Sequence, residues 1–382
     1  MSNTFDVFIF AGEKSGDLYG GKLLKALLSL NPGLKVYGVG GEQMRKEPFT
    51  CLLPTEQFQV MGFIDVFFAL PKLFKQFRQV LKMILDHQPP MVVLIDYPGF
   101  NLRLAKALRK KGYMGKIFQY ICPSVWAWGK KRIPFMATYY SRLLSILPFE
   151  ASYFEHTHLP VEFIGHPLVS SLEEHRFQAI NIPQGKRLIA IFPGSRLKEL
   201  KRNLPLLLQV AYRLHQLYPD LHFALSYSQS CFLPFLHDHL LRSGLQEHTT
   251  ITLLGADRSY DLMKQSVLAL AKSGTVTLEL ALLQVPTVVV YAISKLDLFI
   301  VKYLLRIRLP YYALPNIIGN QEIFPELFGP NFTEETLLEK ATHFLNDDLA
   351  YARCKEQCRD ILSRLGQRDA SHEAALSILN HL

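Results

Sequence analysis

The sequence is short of cysteine, of long apolar runs and of paired acidic motifs, and each shortage removes a class of protein. Five cysteines occur in 382 residues, at positions 51, 122, 231, 354 and 358, with no CxxC pair and no His/Cys spacing for a metal. That excludes a disulfide scaffold or a zinc ribbon and leaves reduced thiols in a cytoplasmic setting as the expectation. No run of about 18 uncharged apolar residues exists, so no membrane-spanning helix is expected. The amino terminus leads straight into Asp6-Val-Phe-Ile-Phe10 without a basic n-region or cleavage site, so no signal peptide is read. Neither the GxxxxGK(S/T) spacing of a P-loop nor GxGxxG is present. There is no short-period repeat and no low-complexity tract. No DxD-type acidic pair stands where a metal-held diphosphate would need one, so no metal requirement is expected.

What is present is globular. Hydrophobic residues make up 49% and charged ones 20%, in a chain long enough for two domains of ordinary size. The excess of 42 Lys+Arg over 33 Asp+Glu is compatible with nucleic acid, an anionic membrane surface or phosphorylated substrates, without choosing among them. Strand-like runs near 5–10, 34–39, 91–95, 116–120, 143–147 and 161–164 alternate with helical patterns at 17–30, 70–86, 101–111 and 129–138. A polar stretch from Ser170 to Lys186 reads as a linker, and then the pattern restarts. Strands fall at 188–192, 221–226, 250–254, 267–271 and 286–291, with a long helix at 197–218 and a helical tail from 333. The fold class is α/β, with two successive doubly wound halves. Ligands of such sheets bind at the carboxyl ends of strands.

Several strand ends carry chemistry. The run Val267–Ala271 leads through Ser273-Gly274-Thr275 into a helix, whose unpaired first N–H groups and dipole favour an anion. Glu279 follows one turn later, roughly 6 Å along at about 1.5 Å per residue, placed for sugar hydroxyls. A simple helix cap is the alternative. Pro193-Gly194-Ser195-Arg196 opens the second half in the same way, and Arg196 could clamp a diphosphate through its planar fork. Asn316, in Leu314-Pro-Asn-Ile-Ile-Gly319, is either a turn former or a base or ribose contact. In the first half, Ala11-Gly12-Glu13-Lys14-Ser15-Gly16-Asp17 offers substrate contacts or a helix cap. Asp96 leaves a buried strand, where desolvation would suit it to accept a hydroxyl proton, or else it serves the turn before Pro98. Pro123-Ser-Val-Trp-Ala-Trp128 holds both tryptophans, either as cleft platforms or as aromatic core. Residues 63–84 place Phe67, Leu70, Phe74, Phe77, Leu81 and Ile84 at helical spacing, with Lys72, Lys75, Arg78 and Lys82 roughly opposite. That pattern fits a helix lying on lipid or one facing the core. Phe299–Arg308 is a second basic and apolar stretch.

Taken in order, these motifs resemble the lipid-A-disaccharide synthase family. The resemblance rests on Ala-Gly-Glu-Lys-Ser-Gly-Asp (11–17), Val60-Met-Gly62, Ile95-Asp96-x-Pro98-x-Phe100-Asn101, Pro123-Ser-Val-Trp-Ala-Trp128, Leu147-Pro-Phe-Glu150 and Phe163-Ile-Gly-His166. Pro193-Gly-Ser-Arg196, Ser273-Gly-Thr-x3-Glu279 and Leu314-Pro-Asn316 complete it, so that it covers nearly the whole chain. It implies a GT-B glycosyltransferase of two Rossmann-like domains facing across a cleft. An acceptor- and membrane-facing domain would span 1–170 and a donor-binding domain 187–350. Helices in 351–382 would cross back to the first domain or to a partner chain, which leaves a homodimer open.

The implied reaction condenses UDP-2,3-diacylglucosamine with 2,3-diacylglucosamine 1-phosphate (lipid X), giving a β-1,6 disaccharide 1-phosphate and UDP. By resemblance Asp96 is the general base. Gly12, Glu13, Ser15, Asp17 and Asn101 fall on the acceptor side. Gly194, Ser195, Arg196, Ser273, Gly274, Thr275, Glu279 and Asn316 fall on the donor side. The UDP-sugar is a substrate, and neither a metal nor another cofactor is implied. Phe67, Leu70, Phe74 and Lys75 become candidate contacts to the cytoplasmic face of an anionic inner membrane in a Gram-negative-type bacterium, with nucleic acid excluded as a partner. Two positions depart from the family pattern: Gly99, where a second Asp is frequent, and Lys14, where a small residue is frequent. The rival readings are another UDP-GlcNAc transferase of the same fold, an epimerase, or a non-catalytic nucleotide-sugar binding protein.

Overall fold

Two parallel sheets account for the alternation of apolar runs and amphipathic stretches. The computed structural model describes residues 5–58, 63–293 and 309–382, without the side chains of 63–70 and 128. The first sheet contains β1 (Val7–Ala11), β2 (Val36–Gly40), β3 (Thr50–Pro54), β4 (Met91–Ile95), β5 (Lys116–Tyr120), β6 (Arg142–Ser145) and β7 (Val161–Phe163). Its spatial order is β3-β2-β1-β4-β5-β6-β7. Helices α1 (Lys14–Leu30), α2 (Phe63–His87), α3 (Pro98–Lys110) and α4 (Ile133–Tyr139) connect these strands, and α5 (Pro167–Glu173) follows the last of them.

The second sheet contains β8 (Arg187–Phe192), β9 (Leu221–Tyr227), β10 (Ile251–Gly255), β11 (Ser266–Lys272), β12 (Thr287–Tyr291) and β13 (Glu326–Phe328). Its order is β10-β9-β8-β11-β12-β13. The intervening helices include α6 (Leu197–Leu217), α7 (Leu233–Ser243), α8 (Ser259–Gln265) and α9 (Thr275–Leu282). Strand order reverses between β1 and β4 in one sheet and between β8 and β11 in the other. These are the points where a doubly wound sheet opens a crevice at its carboxyl edge.

The central strands are buried on both faces, which is why they read as unbroken apolar runs. Successive residues of β1 feed opposite cores. Phe8 and Phe10 pack with Phe58, Phe100 and Leu104. Val7 and Ile9 pack with Leu23, Leu24, Ala374 and Ile378. The last two belong to helix Ala370–Leu379, so the end of the chain completes the first core. The contacts divide the chain into Met1–Ser170 with Leu365–Leu382, and Ser171–Arg364. Of the tail, helix Asp348–Leu365 lies almost wholly in the second unit, and helix Ala370–Leu379 lies in the first. The terminal helix is latched by polar contacts: Ser377 Oγ donates to Glu162 Oε2 at 2.6 Å, and Lys116 Nζ donates to the His381 carbonyl at 2.6 Å.

Some elements differ from the expectation. Strands β3 and β13 are edge strands of five and three residues, the first ending in Pro54, and neither has the apolar density of a central strand. The expected linker begins as helix α5 and becomes irregular after it. Residues Leu314–Gly319 form a short helix instead of a loop.

Candidate functional site

The candidate acid stands where β4 leaves the first sheet at its switch point. Asp96 and Tyr97 both have left-handed backbones, with φ of +48° and +40°, a conformation that costs non-glycine residues energy and persists only when its surroundings enforce it. Here two buried amides enforce it. Asn101 Nδ2 and Gln119 Nε2 donate to the Asp96 carbonyl at 2.5 and 3.0 Å. The Asp96 N–H donates to the Tyr120 carbonyl at 2.9 Å. With its backbone held, the carboxylate turns toward the first turn of α1, where Ser15 Oγ donates to Asp96 Oδ2 at 3.4 Å.

Burial pushes the Asp96 carboxyl above the ordinary range, opposed by the Tyr97 N–H and the Ser15 hydroxyl. Glu13 is raised as well, first by desolvation and then by the charge of Asp96. Desolvation therefore makes Asp96 a stronger base than an exposed aspartate. Gly12 lies against aromatic rings: a Cβ there would stand 2.5 Å from Tyr97 Cδ1 and 2.9 Å from the Phe10 ring. Tyr97 in turn stacks on Phe100 at 5.9 Å. The structure thus brings Gly12, Glu13, Ser15 and Asp96 together.

Two expected acceptor-side residues do not join them. Asp17 is buried, and its carboxylate accepts the N–H groups of Gly41, Gln43 and Met44 at 2.6, 2.9 and 3.1 Å, fixing the turn after β2. Asn101 is fully buried and braces the Asp96 backbone. Both act through the fold, not at a ligand surface.

The second switch point holds a cavity of about 200 Å³ lined by Gly194, Ser195, Ser226, Ser228, Ser273, Gly274, Thr275 and Glu279, among others. Gly194 has φ +125°, which an L side chain rarely adopts. Gly274 precedes the first residue of α9 without a side-chain cap, so the helix's leading N–H groups face the cavity uncapped. Glu279 is raised by burial, with the Tyr260 hydroxyl 3.5 Å away lowering it in part. Hydroxyls, N–H groups and a carboxylate in one crevice suit a sugar nucleotide. Arg196 does not line the cavity: its side chain is 83% exposed and reaches it only through Glu199, 3.8 Å away.

Asn316 is a correction. It is fully buried, and it is engaged on every side. Nδ2 donates to the Phe324 carbonyl at 2.7 Å and to Glu326 at 2.8 Å, and Oδ1 accepts the Ile323 and Phe324 N–H groups. No hydrogen-bonding capacity is left over for a base or ribose.

Three features escaped the sequence reading. Lys272 and Glu199 line the cavity at the second switch point as an ion pair at 3.2 Å, although they stand 73 positions apart. Gln119 holds the Asp96 backbone from the neighbouring strand. Glu150, which the sequence offered only as part of a motif, is buried at the carboxyl end of β6 and raised to about 7, mainly by burial.

Of the amphipathic helix, the later turns face the core. Val80 and Ile84 are buried, and Phe77 packs edge-on to Phe100 at 5.4 Å. Phe74 is the exception, 58% exposed with the Arg78 guanidinium 4.6 Å over its ring. Lys75 is exposed beside it. The side chains of Phe67 and Leu70, with Val60-Met-Gly62 and Phe299–Arg308, lie outside the described residues. No helix among the described residues is long and apolar enough to cross a membrane.

Comparison with known proteins agrees with this geometry. The lipid-A-disaccharide synthetase family matches residues 7–379. A lipid-A-disaccharide synthase of Chlamydia pneumoniae is 40% identical over 360 residues, covering 93% of this chain and 59% of its own. One from Geobacter metallireducens is 32% identical over 381 residues, 98% of this chain and 97% of its own. The chain spans about three-fifths of the length of the chlamydial relatives. Among solved structures, a UDP-GlcNAc 2-epimerase from Neisseria meningitidis bound to UDP-GlcNAc superposes with TM-score 0.64 at 12% identity, over 98% of this chain and 99% of the other. The glycotransferase of kitacinnamycin gives 0.63 at 12%, over 99% of both chains. These likenesses carry the expected α/β fold of GT-B type.

Proposed function

The chain belongs to the lipid-A-disaccharide synthase family, and from that premise we propose that it is an inverting glycosyltransferase joining UDP-2,3-diacylglucosamine to 2,3-diacylglucosamine 1-phosphate. The observation that carries the reading is the division of chemistry between the two switch points. One holds a desolvated acid on an enforced backbone, and the other holds an anion crevice. A non-catalytic binding protein of the same fold would have no need for a base in the first unit, and the products formed separate a transferase from an epimerase.

In the proposed step Asp96 takes the proton of the acceptor's 6-hydroxyl, and that oxygen forms a bond to C1 of the donor sugar. The bond from C1 to the β-phosphate oxygen breaks, UDP leaves with the electron pair, and C1 inverts. Asp96 finishes protonated and returns its proton to solvent. The N-terminus of α9 and Arg196 would meet the charge on the leaving diphosphate, the electrostatic role that a metal plays in other transferases. We therefore expect turnover to persist in EDTA. Exposed Phe74 with Lys75 supports peripheral binding to an anionic, cytoplasm-facing bilayer, where both acylated substrates would reside.

The test is direct. Purified protein incubated with both substrates should release UDP in step with a β-1,6 disaccharide 1-phosphate. UDP without disaccharide, or an epimerised donor, would refute the transferase reading.

A further inference from the structure

The donor crevice contains an ion pair for which the transfer chemistry above has no use. Lys272 ends β11 immediately before Ser273, and its Nζ lies 3.2 Å from Glu199 Oε1, with only 18% and 17% of the two side chains exposed. The other carboxylate oxygen, Oε2, accepts the Ser195 N–H at 2.9 Å. Arg196 Nη1 approaches the same carboxylate at 3.8 Å. Glu199 therefore engages a lysine, a backbone N–H at a strand end and an arginine, the kind of donor set a phosphate oxygen takes. The glycine at 194 makes the approach possible, because a Cβ there would stand 2.7 Å from Oε2. Burial pushes the carboxyl up, but Lys272, the Ser195 N–H and Arg196 together outweigh it and hold Glu199 below its ordinary range, hence charged. Lys272 has a second site of attraction in the face of Tyr291, 5.1 Å from Nζ.

A carboxylate and a diphosphate cannot both hold the same lysine and N–H without strong like-charge repulsion. Resting on the donor reading of this crevice, we propose that Lys272 is a diphosphate-binding residue and that Glu199 competes with the diphosphate for it. Binding transfers Lys272 and the Ser195 N–H from the carboxylate to the phosphate oxygens, and the carboxylate takes them back as the nucleotide leaves. UDP is the product of the reaction, so this competitor speeds its departure. The pair limits how tightly the enzyme can hold UDP.

Calorimetric titration with UDP tests the exchange on the full chain and on Glu199→Gln, Lys272→Met and the double variant. Glu199→Gln should tighten UDP by about tenfold, mainly through slower dissociation, and Lys272→Met should weaken it by about tenfold. In the double variant the gain from Glu199→Gln should shrink, because the cation it frees is no longer there and only the Ser195 N–H remains to be released. If Glu199→Gln weakens UDP or leaves it unchanged, Glu199 is a brace for the 193–196 turn and the exchange is refuted. Unchanged affinity in Lys272→Met refutes it independently, and keeps the test decisive should Glu199→Gln fail to fold. If the parent chain takes up no UDP at all, the donor reading itself falls. If Arg196→Ala weakens UDP while both of these substitutions leave it unchanged, only the exchange falls.

Discussion

Replacing Glu150 by glutamine should remove a pH dependence from the stability of the first unit. The side chain is 1% exposed, and Ser145 Oγ donates to its Oε2 at 2.5 Å. Burial raises its carboxyl from 4.5 to about 7, against the lowering effects of Ser145, the Leu147 N–H, Trp126 and Cys122. In the unfolded chain the group ionises near its ordinary value, whereas the folded chain keeps its proton until about pH 7. The native state therefore binds more protons across this window, and stability falls as pH rises through it. The difference of roughly 2.5 units at 1.36 kcal/mol each makes the loss about 3 kcal/mol between pH 4.5 and 7.5.

Glutamine keeps the shape and cannot ionise, so its profile should lack this fall. His166 is buried and lowered to about 4, so it titrates in the opposite sense, costing stability as pH drops below 6.5. That contribution is common to both proteins, and the difference between them isolates Glu150. Urea unfolding followed by tryptophan emission is the assay, because both tryptophans of the chain lie at positions 126 and 128 of the first unit. Parallel stability profiles from pH 5 to 8 would refute the reasoning.

Three further outcomes follow from the same geometry. A Cβ at Gly99 meets nothing within 4 Å, and the residue sits in the first turn of α3, where a carboxylate complements the helix dipole. Gly99→Asp should therefore raise thermal stability by about 0.5–1 kcal/mol, and a loss would show strain at that position. Asn316→Ala should cost about 2–4 kcal/mol by stranding the Ile323 and Phe324 N–H groups, while UDP affinity stays within about twofold. A selective loss of UDP binding without destabilisation would restore Asn316 to the donor site. Phe74→Ser combined with Lys75→Ala should reduce co-sedimentation with anionic vesicles by at least about tenfold, the scale of losing one apolar anchor and one cation. Equal binding would remove this helix from the membrane contact.

Strands were legible wherever burial on both faces writes an unbroken apolar run, as in Val7–Ala11 and Met91–Ile95. The strands β3 and β13 were not: Thr50–Pro54 runs through exposed and part-buried positions into a proline, and Glu326–Phe328 is three residues opened by a charge. The edge strand β7, as short as β13, shows itself through Val161, Phe163 and Ile164. The two switch-point clusters were legible because Gly, Ser, Arg and Asp at strand ends are unusual in a core. What residue type alone could not tell was where a polar side chain is directed. Asp17, Asn101 and Asn316 carry the same polar groups whether they face a ligand or the backbone, and the structure shows each taken up by main-chain partners. The opposite error hid Lys272 and Glu199. Their pairing depends on β8 and β11 lying side by side, a tertiary fact that no local pattern contains.

The central claim is that Asp96 removes the acceptor proton while the second unit holds the nucleotide, and Asp96→Asn tests it most directly. Asparagine preserves the side-chain shape and removes the base. Turnover of the two acylated substrates should fall by about a hundredfold or more, with UDP affinity from titration within about twofold of the parent. Retained turnover would show that another group takes the proton and would contradict the account.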